Sequence, residues 1–485
     1  MRGATLGFVL LVLAAGCGGG GGGGGSAAGA ASAGPGGLAP GGTIRAGAAR
    51  RDITPPTGAP LGGFGGGQRR VIDQSTLSAN LALAFGTPPQ PAPGALSVLF
   101  TPSTGKHDAI SAKAIVLERG GERFAILGLD AIGVSRRARD DIAARVAPLG
   151  FANDHVLVCA THTHSGPAAI ADKVFWQVAA MDVLQRAIYE QFVSGAAQAI
   201  ADATAALVPA RVGWAVEPET AVQHNRRGQG VFDPDLTTIR VDRLDGTPIA
   251  LAVNLAIHGI CLGDDNLEFT ADLMGYCERA VEASLGAGAV CVFMNGCEGD
   301  VSPNDFGYAG AASVGQAIAA HALLVGQAAA ATATASAPIA VSWEEFHFTD
   351  GPAIHLDKIT GAIPASFGVS ITNLQAVLGS AFIQLDPQWF NVDIPLQALR
   401  IGDLCLLAVP GEALTNTGLA MKAGARALGF RHAIVVGLAN DHLGYIADPI
   451  EYDRGGYEAF MTFFGRDEAP QITTGLLRVA AKIKP

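Results

Sequence analysis

The stretch that decides the fold is "RFAILGLDAIGVSRRARDDIAARVAPLGFANDHVLVCATHTHSGP", residues 123–167. It opens with an apolar run, continues with the charged and alanine-rich segment "SRRARDDIAARVAPLG", and returns to a second apolar run, "HVLVCA". Short apolar runs between turn residues are typical of buried strands, and the charged segment between them is typical of a helix. We therefore predict alternating strands and helices, and an α/β fold.

The alternation continues along the rest of the chain. The alanine-rich segment "YEQFVSGAAQAIADATAAL" predicts a further helix. Two later segments each hold two strand-like runs around a turn, at Asp245-Gly246 and Gly402-Asp403, which predicts antiparallel hairpins. After residue 43 we find neither an internal repeat nor a second linker. The predicted fold is α/β, with a mixed β-sheet core covered by helices, in a single large catalytic domain spanning residues 43–485.

The first 42 residues predict export rather than folded structure. Residues 1–17, "MRGATLGFVLLVLAAGC", combine one arginine, a short apolar run and small residues before Cys17, as in a secretory signal. The ending "LAAGC" resembles a bacterial lipobox, which predicts a lipoprotein tethered to a membrane through acylated Cys17, in the periplasm or at the cell surface. Plain secretion is the alternative. Residues 18–42 are almost entirely Gly, Ala, Ser and Pro, and predict a flexible tether.

Composition narrows the class of protein and of partner. The 485 residues are 49% hydrophobic and 15% charged, enough to build a sizeable core. The net charge is -11 with no basic tract, which argues against nucleic acid or an anionic membrane surface as an electrostatic partner. The six cysteines after Cys17 form no CxxC pair. They predict buried thiols or disulfides rather than zinc ligands.

Polar side chains stand where apolar runs end. His162 and His164 follow one such run, and the others that do so are His258, Ser302, Glu412 and Tyr445. Alternate side chains of a strand share a face, so His162 and His164 are expected to leave the strand end on the same side. The pair predicts either a metal or proton-transfer site, or a solvated polar loop. Ligands bind beyond the carboxyl ends of strands in open α/β sheets, so we expect a shared crevice there.

Each candidate also has a purely structural interpretation. His258 lies in an apolar strand and fits a buried core histidine. Glu412 is predicted in the first turn of a helix, where an acid favours the helix dipole. Ser302, in "NGCEGDVSPN", is presented by a constrained turn, and its neighbours could simply satisfy local amides. Arg226 could orient a substrate oxygen or lie exposed on a loop, and Tyr457 could be an ordinary aromatic beside the core.

The motifs, taken in order, resemble one known family. They are "AGAARRDITPPTGAPLGGFG", "ATHTHSGP", "HNR", "NLAIHG", "NGCEGDVSPN", "PGE" and "GLANDHLGYI", followed by "EY" and "YE". This ordered set is similar to the neutral/alkaline ceramidases, zinc-dependent amidases that hydrolyse N-acylsphingosine. The resemblance implies cleavage of the amide bond of ceramide or a related N-acyl lipid, giving a fatty acid and an amine.

The resemblance also implies a site, residue by residue. The zinc ligands, for one ion per chain, are His162, His258, Glu412 and Tyr445. The catalytic residues are Ser302, His164, Tyr457 and Arg226. Zinc would acidify an attacking water molecule, Tyr457 and Arg226 would stabilise the oxyanion, and His164 would protonate the departing amine. Ser302 would be either an acyl-accepting nucleophile or a hydrogen-bonding anchor for the substrate.

Other functions stay open at this point. Longer family members continue into an immunoglobulin-like β-domain, and we expect no such C-terminal domain here. The alternatives to ceramide hydrolysis are a metallohydrolase for a different amide or ester, and a non-catalytic lipid-binding surface lipoprotein. The expected partner is a small-molecule lipid, and no protein partner can be inferred.

Overall fold

The computed structural model describes residues 37–38, 41–71, 73–84, 86–359, 382–386 and 389–485. The predicted signal segment 1–17, with Cys17, lies outside the described residues, as does most of the predicted tether 18–42. Within that tether, Gly37–Leu38 form a two-residue strand that pairs with Ala340 and Val341. The signal, the tether and the domain boundary at residue 43 stay predictions.

The described strands and helices alternate along the chain. The strands are β1 (Gly37–Leu38), β2 (Arg45–Asp52), β3 (Gly105–Lys106), β4 (Ser111–Arg119), β5 (Glu122–Leu129), β6 (Val156–Ala160), β7 (Val208–Pro218), β8 (Gln223–Asn225), β9 (Asp235–Arg243), β10 (Pro248–Leu255), β11 (Glu268–Phe269), β12 (Val290–Asn295), β13 (Val301–Pro303), β14 (Ile339–His347), β15 (Ala353–His355), β16 (Phe382–Gln384), β17 (Asp393–Ile401), β18 (Leu404–Ala408), β19 (Glu412–Ala413), β20 (His432–Val436) and β21 (Tyr445–Ile446). The helices are α1 (Gln74–Ala84), α2 (Arg136–Val146), α3 (Val174–Trp176), α4 (Arg186–Ala205), α5 (Asp272–Leu285), α6 (Gly307–Ala331), α7 (Thr415–Ala427), α8 (Pro449–Arg454), α9 (Tyr457–Phe460) and α10 (Glu468–Ala481).

Most strands belong to two mixed sheets. The larger has eight strands in the order β12-β10-β9-β7-β2-β4-β5-β6 and is parallel only at its two edges, in the pairs β10–β12 and β5–β6. The smaller has five strands in the order β1-β14-β17-β18-β20, with a parallel pair at β18–β20. The α/β class and the mixed pairing are confirmed. In the described part of the chain, however, two large sheets form the core, where the sequence predicted a single sheet.

Both predicted hairpins are present. β9 and β10 pair antiparallel around Asp245-Gly246, and β17 and β18 pair antiparallel around Gly402-Asp403. Gly246 and Gly402 have φ of 93° and 65°, a left-handed conformation that glycine adopts without a Cβ clash. The turn glycines therefore reverse the chain at the predicted places.

The two sheets pack face to face, and helices cover their outer faces. Buried side chains such as Ile126 and Val292 of the larger sheet share one apolar cluster with Leu399 and Leu406 of the smaller sheet. The outer face of the larger sheet is covered by α2 and α4 near β4 to β6, and by α5 and α6 near β10 and β12. α7 and α10 cover the smaller sheet. The molecule therefore has four layers, helix–sheet–sheet–helix.

Local sequence accounts for several of these elements. α2 begins after Ser135, whose Oγ accepts a hydrogen bond from the backbone N–H of Ala138 at 3.2 Å, as a helix N-cap does. Among the described residues, α6 is the one helix long and apolar enough to cross a membrane, and half of its most apolar stretch is buried within the molecule. The six cysteines after Cys17 are all buried and unpaired, as one of the two sequence interpretations expected.

The chain segments that carry the predicted site follow strands of both sheets. His162 follows β6 and His258 follows β10 of the larger sheet, whereas Glu412 and Tyr445 follow β18 and β20 of the smaller one. Glu412 is not in a helix, contrary to the prediction, because residues 412–413 pair with Tyr445 and Ile446 as strand β19 and helix α7 begins only at Thr415. The strand ends of the two sheets thus meet at one side of the molecule.

Candidate metal and catalytic centre

Three buried side chains meet at one point. The Oε2 atom of Glu412 lies 3.2 Å from Nε2 of His162 and 3.3 Å from Nε2 of His258. All three side chains are almost fully buried. Four ligands around one zinc ion, at 2.0–2.1 Å from it, lie about 3.3 Å apart. These two distances therefore fit ligands that share a metal ion.

The hydrogen bonds of both imidazoles favour the same interpretation. Nδ1 of His162 lies 2.7 Å from the carbonyl oxygen of Ile132, and Nδ1 of His258 lies 2.7 Å from that of Glu298. A carbonyl oxygen only accepts, so each Nδ1 carries the hydrogen and each Nε2 presents a lone pair. Those lone pairs face a carboxylate oxygen that has no hydrogen-bond partner among the described residues. A cation between them satisfies all three atoms.

Charge effects keep Glu412 ionised. Burial acts to raise the pKa of this carboxyl, but the neighbouring imidazoles of His162, His258 and His442 hold it well below its usual range. The pKa of His258 is lowered to about 4, by burial first and then by the nearby Arg226. One carboxylate and neutral imidazoles are ordinary ligands of zinc and of similar divalent ions.

Tyr445 and Arg226 border the three ligands. The phenol oxygen of Tyr445 lies 3.3 Å from Nε2 of His258, and Nη2 of Arg226 donates to it at 3.0 Å. Arg226 is fixed in turn, because it donates to Glu458 at 2.9 Å and to the carbonyl of Gly299 at 2.7 Å. Burial, reinforced by the charge of Glu412, holds the pKa of Tyr445 well above its usual range, so its phenol stays protonated.

His164 lies beside the ligands but is held differently. Its Nε2 is 3.2 Å from Nε2 of His162, and its ring packs against Phe64 with centroids 4.7 Å apart. Its Nδ1 is buried and has no partner among the described residues. Burial, with the neighbouring His162 and His258, lowers the pKa of His164 well below the usual value. His164 is therefore a neutral imidazole with a free nitrogen.

The two histidines do not reach the site as continuing strand residues. β6 ends at Ala160, and His162 has φ of 69°, a left-handed conformation that costs a non-glycine residue about 1–3 kcal/mol. His164 donates its backbone N–H to the carbonyl of Gly259. The predicted convergence is present, but a strained turn produces it rather than strand alternation.

The two remaining predicted residues differ in position. Tyr457 lines the cavity at the site, and its ring lies 5.5 Å from that of Tyr445 at 71°. Ser302 lies on β13 opposite His224 and is not among the residues that line the cavity. Residues directly opposite on antiparallel strands share a face, so Ser302 is on the face of the exposed His224. The catalytic role of Ser302 stays a prediction.

Two further residues of the site escaped the sequence analysis. His442 has Nε2 3.4 Å from Oε1 of Glu412, and its ring packs against Trp176. Glu298 is fully buried, and its carboxylate lies close to His162 and Glu412. Both lie inside quoted motifs, His442 three residues before Tyr445 and Glu298 in "NGCEGDVSPN". The sequence signal for both residues is an ionisable side chain inside a motif that already holds a predicted site residue.

A cavity of about 440 Å³ opens onto this group of side chains. Most of its wall is apolar, and includes Phe64, Ile170, Trp176, Met181 and Phe460. Its polar lining includes His164, Arg226, His258, Glu412, His442, Tyr445 and Tyr457. An apolar cavity of this size with convergent polar groups at one place suits a small molecule that combines an apolar chain with a polar reacting group.

Comparison with known proteins agrees with this geometry. The family described as neutral/alkaline non-lysosomal ceramidase, N-terminal, matches residues 100–340 and 318–473. The neutral ceramidase of Pseudomonas aeruginosa is 22% identical over 445 residues, which cover 76% of this chain and 66% of that protein. Neutral ceramidase A of Dictyostelium discoideum is 23% identical over 474 residues, which cover 74% and 66%. The chain thus spans slightly less than two thirds of the length of these relatives.

A solved structure has the same fold. The crystal structure of neutral ceramidase from Pseudomonas aeruginosa matches with a TM-score of 0.73 and 18% sequence identity. The match covers 91% of this chain and 74% of that chain. The two-sheet architecture is therefore shared by both proteins.

Proposed function

Because this chain belongs to the neutral/alkaline non-lysosomal ceramidase family, we propose that it is a zinc-dependent amidohydrolase that cleaves the amide bond of ceramide or a related N-acyl lipid. The relatives named above are neutral ceramidases, which supports an amide of a lipid as the substrate. The apolar cavity, which ends at the polar centre, supports a substrate with a long apolar chain.

One observation carries the proposal. The lone pairs of His162 and His258 converge at 3.2 and 3.3 Å on an oxygen of Glu412 that has no hydrogen-bond partner among the described residues. Tyr445 borders this set and completes the four ligands that the family resemblance implies. Zinc bound there would supply Lewis-acid polarisation of the amide carbonyl and would acidify a water molecule.

The chain's own groups account for the rest of the chemistry. The phenol of Tyr457 lines the cavity and can donate a hydrogen bond to the carbonyl oxygen as negative charge builds on it. Arg226 holds the phenol of Tyr445 in place through its 3.0 Å hydrogen bond. His164 lines the cavity and has a free ring nitrogen, so it can take the proton released by the attacking water molecule and pass it to the departing amine. The apolar wall would hold the acyl chain and exclude water from the site.

Zinc content and ceramide hydrolysis, measured on the same preparation, test the proposal. We expect the purified chain to hold one zinc ion and to release fatty acid from N-acylsphingosine, and a chelator to abolish the release. The Glu412→Gln variant removes the central ligand and should lower both zinc content and kcat, the latter by more than ~100-fold. Glu468→Gln is the matched control, because Glu468 is also fully buried but lies on α10, where it accepts a hydrogen bond from Phe464.

Two results would contradict the proposal. Stoichiometric zinc with cleavage of other N-acyl amines but not of ceramide would assign a different amide substrate. A chain that binds lipid but neither zinc nor any other divalent metal would be a non-catalytic lipid-binding protein.

A further inference from the structure

Glu298 is a buried carboxylate that the chemistry above does not use. It lies between β12 and β13, in the segment "GCEG", and its side chain is fully buried. Neither carboxylate oxygen has a hydrogen-bond partner among the described residues. A buried carboxyl group without hydrogen-bond partners is costly, and a cation beside it would remove that cost.

The groups nearest to Glu298 are those that would hold the metal. Ligand atoms of His162, Glu298 and Glu412 all lie within 4.8 Å of one another. Two ligands of one zinc ion are at most about 4.4 Å apart, because each bond is about 2.0–2.2 Å long. The three side chains are therefore spaced almost as ligands of one ion are.

Among the described residues, no guanidinium donates a hydrogen bond to the carboxylate of Glu298. Arg226 borders this centre, and its hydrogen bonds go to Glu458, Tyr445 and the carbonyl of Gly299. None of them reaches the carboxylate of Glu298, whose two oxygens are without partners in the part of the chain that the structure describes.

The backbone holds Glu298 in this place. Its carbonyl oxygen accepts from Nδ1 of His258 at 2.7 Å and from the N–H of Val301 at 2.8 Å. On the other side, a Cβ added to Gly437 would lie 2.7 Å from Oε2 of Glu298, so a glycine there leaves the room that the carboxylate fills. The residue that orients His258 thus also directs its own carboxylate towards the ligands.

We propose that Glu298 is a second anionic ligand of the cation held by His162, His258 and Glu412. The inference rests on the proposed function in that it needs a divalent cation at this centre. With two carboxylates, two neutral imidazoles and the neutral phenol of Tyr445, the charge of a divalent ion is fully balanced, and a balanced buried group costs less than an unbalanced one. The expected consequence is tight retention of the metal.

Metal affinity measured against a competing chelator tests this role. Wild type, Glu298→Gln and Glu298→Asp are stripped of metal and titrated with zinc chloride in the presence of a chromogenic chelator. Glu298→Gln keeps the shape and removes the charge, and should raise the Kd for zinc ~10–100-fold. Glu298→Asp keeps the charge and should have a Kd closer to that of wild type. The control Glu468→Gln should leave the Kd unchanged.

Thermal unfolding separates a metal-binding role from a structural one. Without metal, Glu298→Gln should be about as stable as wild type, because glutamine has nearly the same shape and is also uncharged. With excess zinc, wild type should gain more in Tm than the variant. Equal Kd values for wild type and Glu298→Gln, or an equal loss of Tm with and without zinc, would overturn the inference.

These experiments separate a failure of the inference about Glu298 from a failure of the proposed function. Weaker zinc binding by Glu298→Gln, in a chain that cleaves no amide, would support the role of Glu298 and contradict the proposed activity. Amide hydrolysis, with equal zinc affinity in wild type and Glu298→Gln, would support the proposed activity and contradict the role of Glu298. Failure of the wild-type chain to bind zinc would contradict both.

Discussion

The three histidines of the centre differ in how their second ring nitrogen is held. His162 and His258 each donate from Nδ1 to a backbone carbonyl oxygen at 2.7 Å, which fixes both the tautomer and the direction of Nε2. Anchoring of this kind is typical of metal-ligating imidazoles. His164 has no such anchor among the described residues and packs against Phe64 on the cavity side. This difference supports the proposed roles, which are metal binding for the first two and proton transfer for the third.

Replacing His164 or His162 with alanine tests this division. His164→Ala should keep one zinc ion per chain while kcat falls by ~10²–10⁴, the range expected when a general acid–base group is lost. His162→Ala should lose the zinc as well as the activity. Metal analysis of both variants, together with single-turnover hydrolysis of the same N-acyl lipid, provides the measurement. Loss of zinc from His164→Ala would instead make His164 a ligand, because its donor atoms are close to those of His162 and His258.

The sequence indicated most of the residues that the structure brings together, but not the backbone conformations that place them. His162, His258, Glu412 and Tyr445 follow strands, so apolar runs that end in polar residues indicated them. The positive φ of His162 could not be predicted, because nothing local marks a non-glycine residue for that conformation. Glu298 was overlooked because an acid beside glycines is typical of an ordinary turn, and only the packing of distant segments shows that its oxygens have no partners.

At the scale of elements, nearby residues predicted the local structure correctly. The pairing of strands that are distant in sequence could not be predicted. The two hairpins and α2 were predicted because turn glycines and a charged, alanine-rich segment act within a few residues. The division into two sheets has no local signal, because a strand covered on both faces has the same apolar pattern whether its neighbour is a helix or a sheet. The start of α7 was predicted too early, with Glu412 in its first turn, for the same reason: no nearby residue marks this stretch as extended. Leu414 donates its N–H to Ile446, a contact between segments 32 residues apart that keeps this stretch extended.

The helix α10 predicts a pH dependence of stability. Glu468, its first residue, is fully buried, and this burial raises the pKa of its carboxyl from 4.5 to about 8. Between these values the folded chain keeps a proton that the unfolded chain releases, so the contribution of Glu468 to stability is full below pH 4.5 and is lost as the pH rises towards 8. The loss amounts to at most about 1.4 kcal/mol per pH unit.

The Glu468→Gln variant should remove that dependence. Its free energy of unfolding, measured by urea titration from pH 4.5 to 8.5, should equal that of wild type or lie below it at the acid end, and should exceed it increasingly as the pH rises. The difference between the two chains is the quantity to plot, since other titrating groups cancel in it. Parallel curves for the two proteins would mean that Glu468 is ionised in the folded state.

At the scale of the whole molecule, the centre joins the two sheets. His162 and His258 follow strands of the larger sheet, whereas Glu412 and Tyr445 follow strands of the smaller one. The convergence of segments 250 residues apart, from Glu412 back to His162, could not be derived from their spacing. The ordered motifs indicated it only through the family resemblance, and the family match over residues 100–340 and 318–473 confirms that resemblance.

Removal of the metal should therefore destabilise the whole fold rather than one loop. A ligand present at ~1,000 times its Kd stabilises the folded state by about 4 kcal/mol, which corresponds to a few degrees in Tm for a chain of this size. We expect calorimetry to show a single transition that moves down by that amount when zinc is chelated. Glu412→Gln should unfold near the chelated temperature with or without zinc, and Glu468→Gln should keep the full zinc-dependent gain. Two transitions, of which only one responds to zinc, would show that the sheets unfold independently and that the ion does not join them.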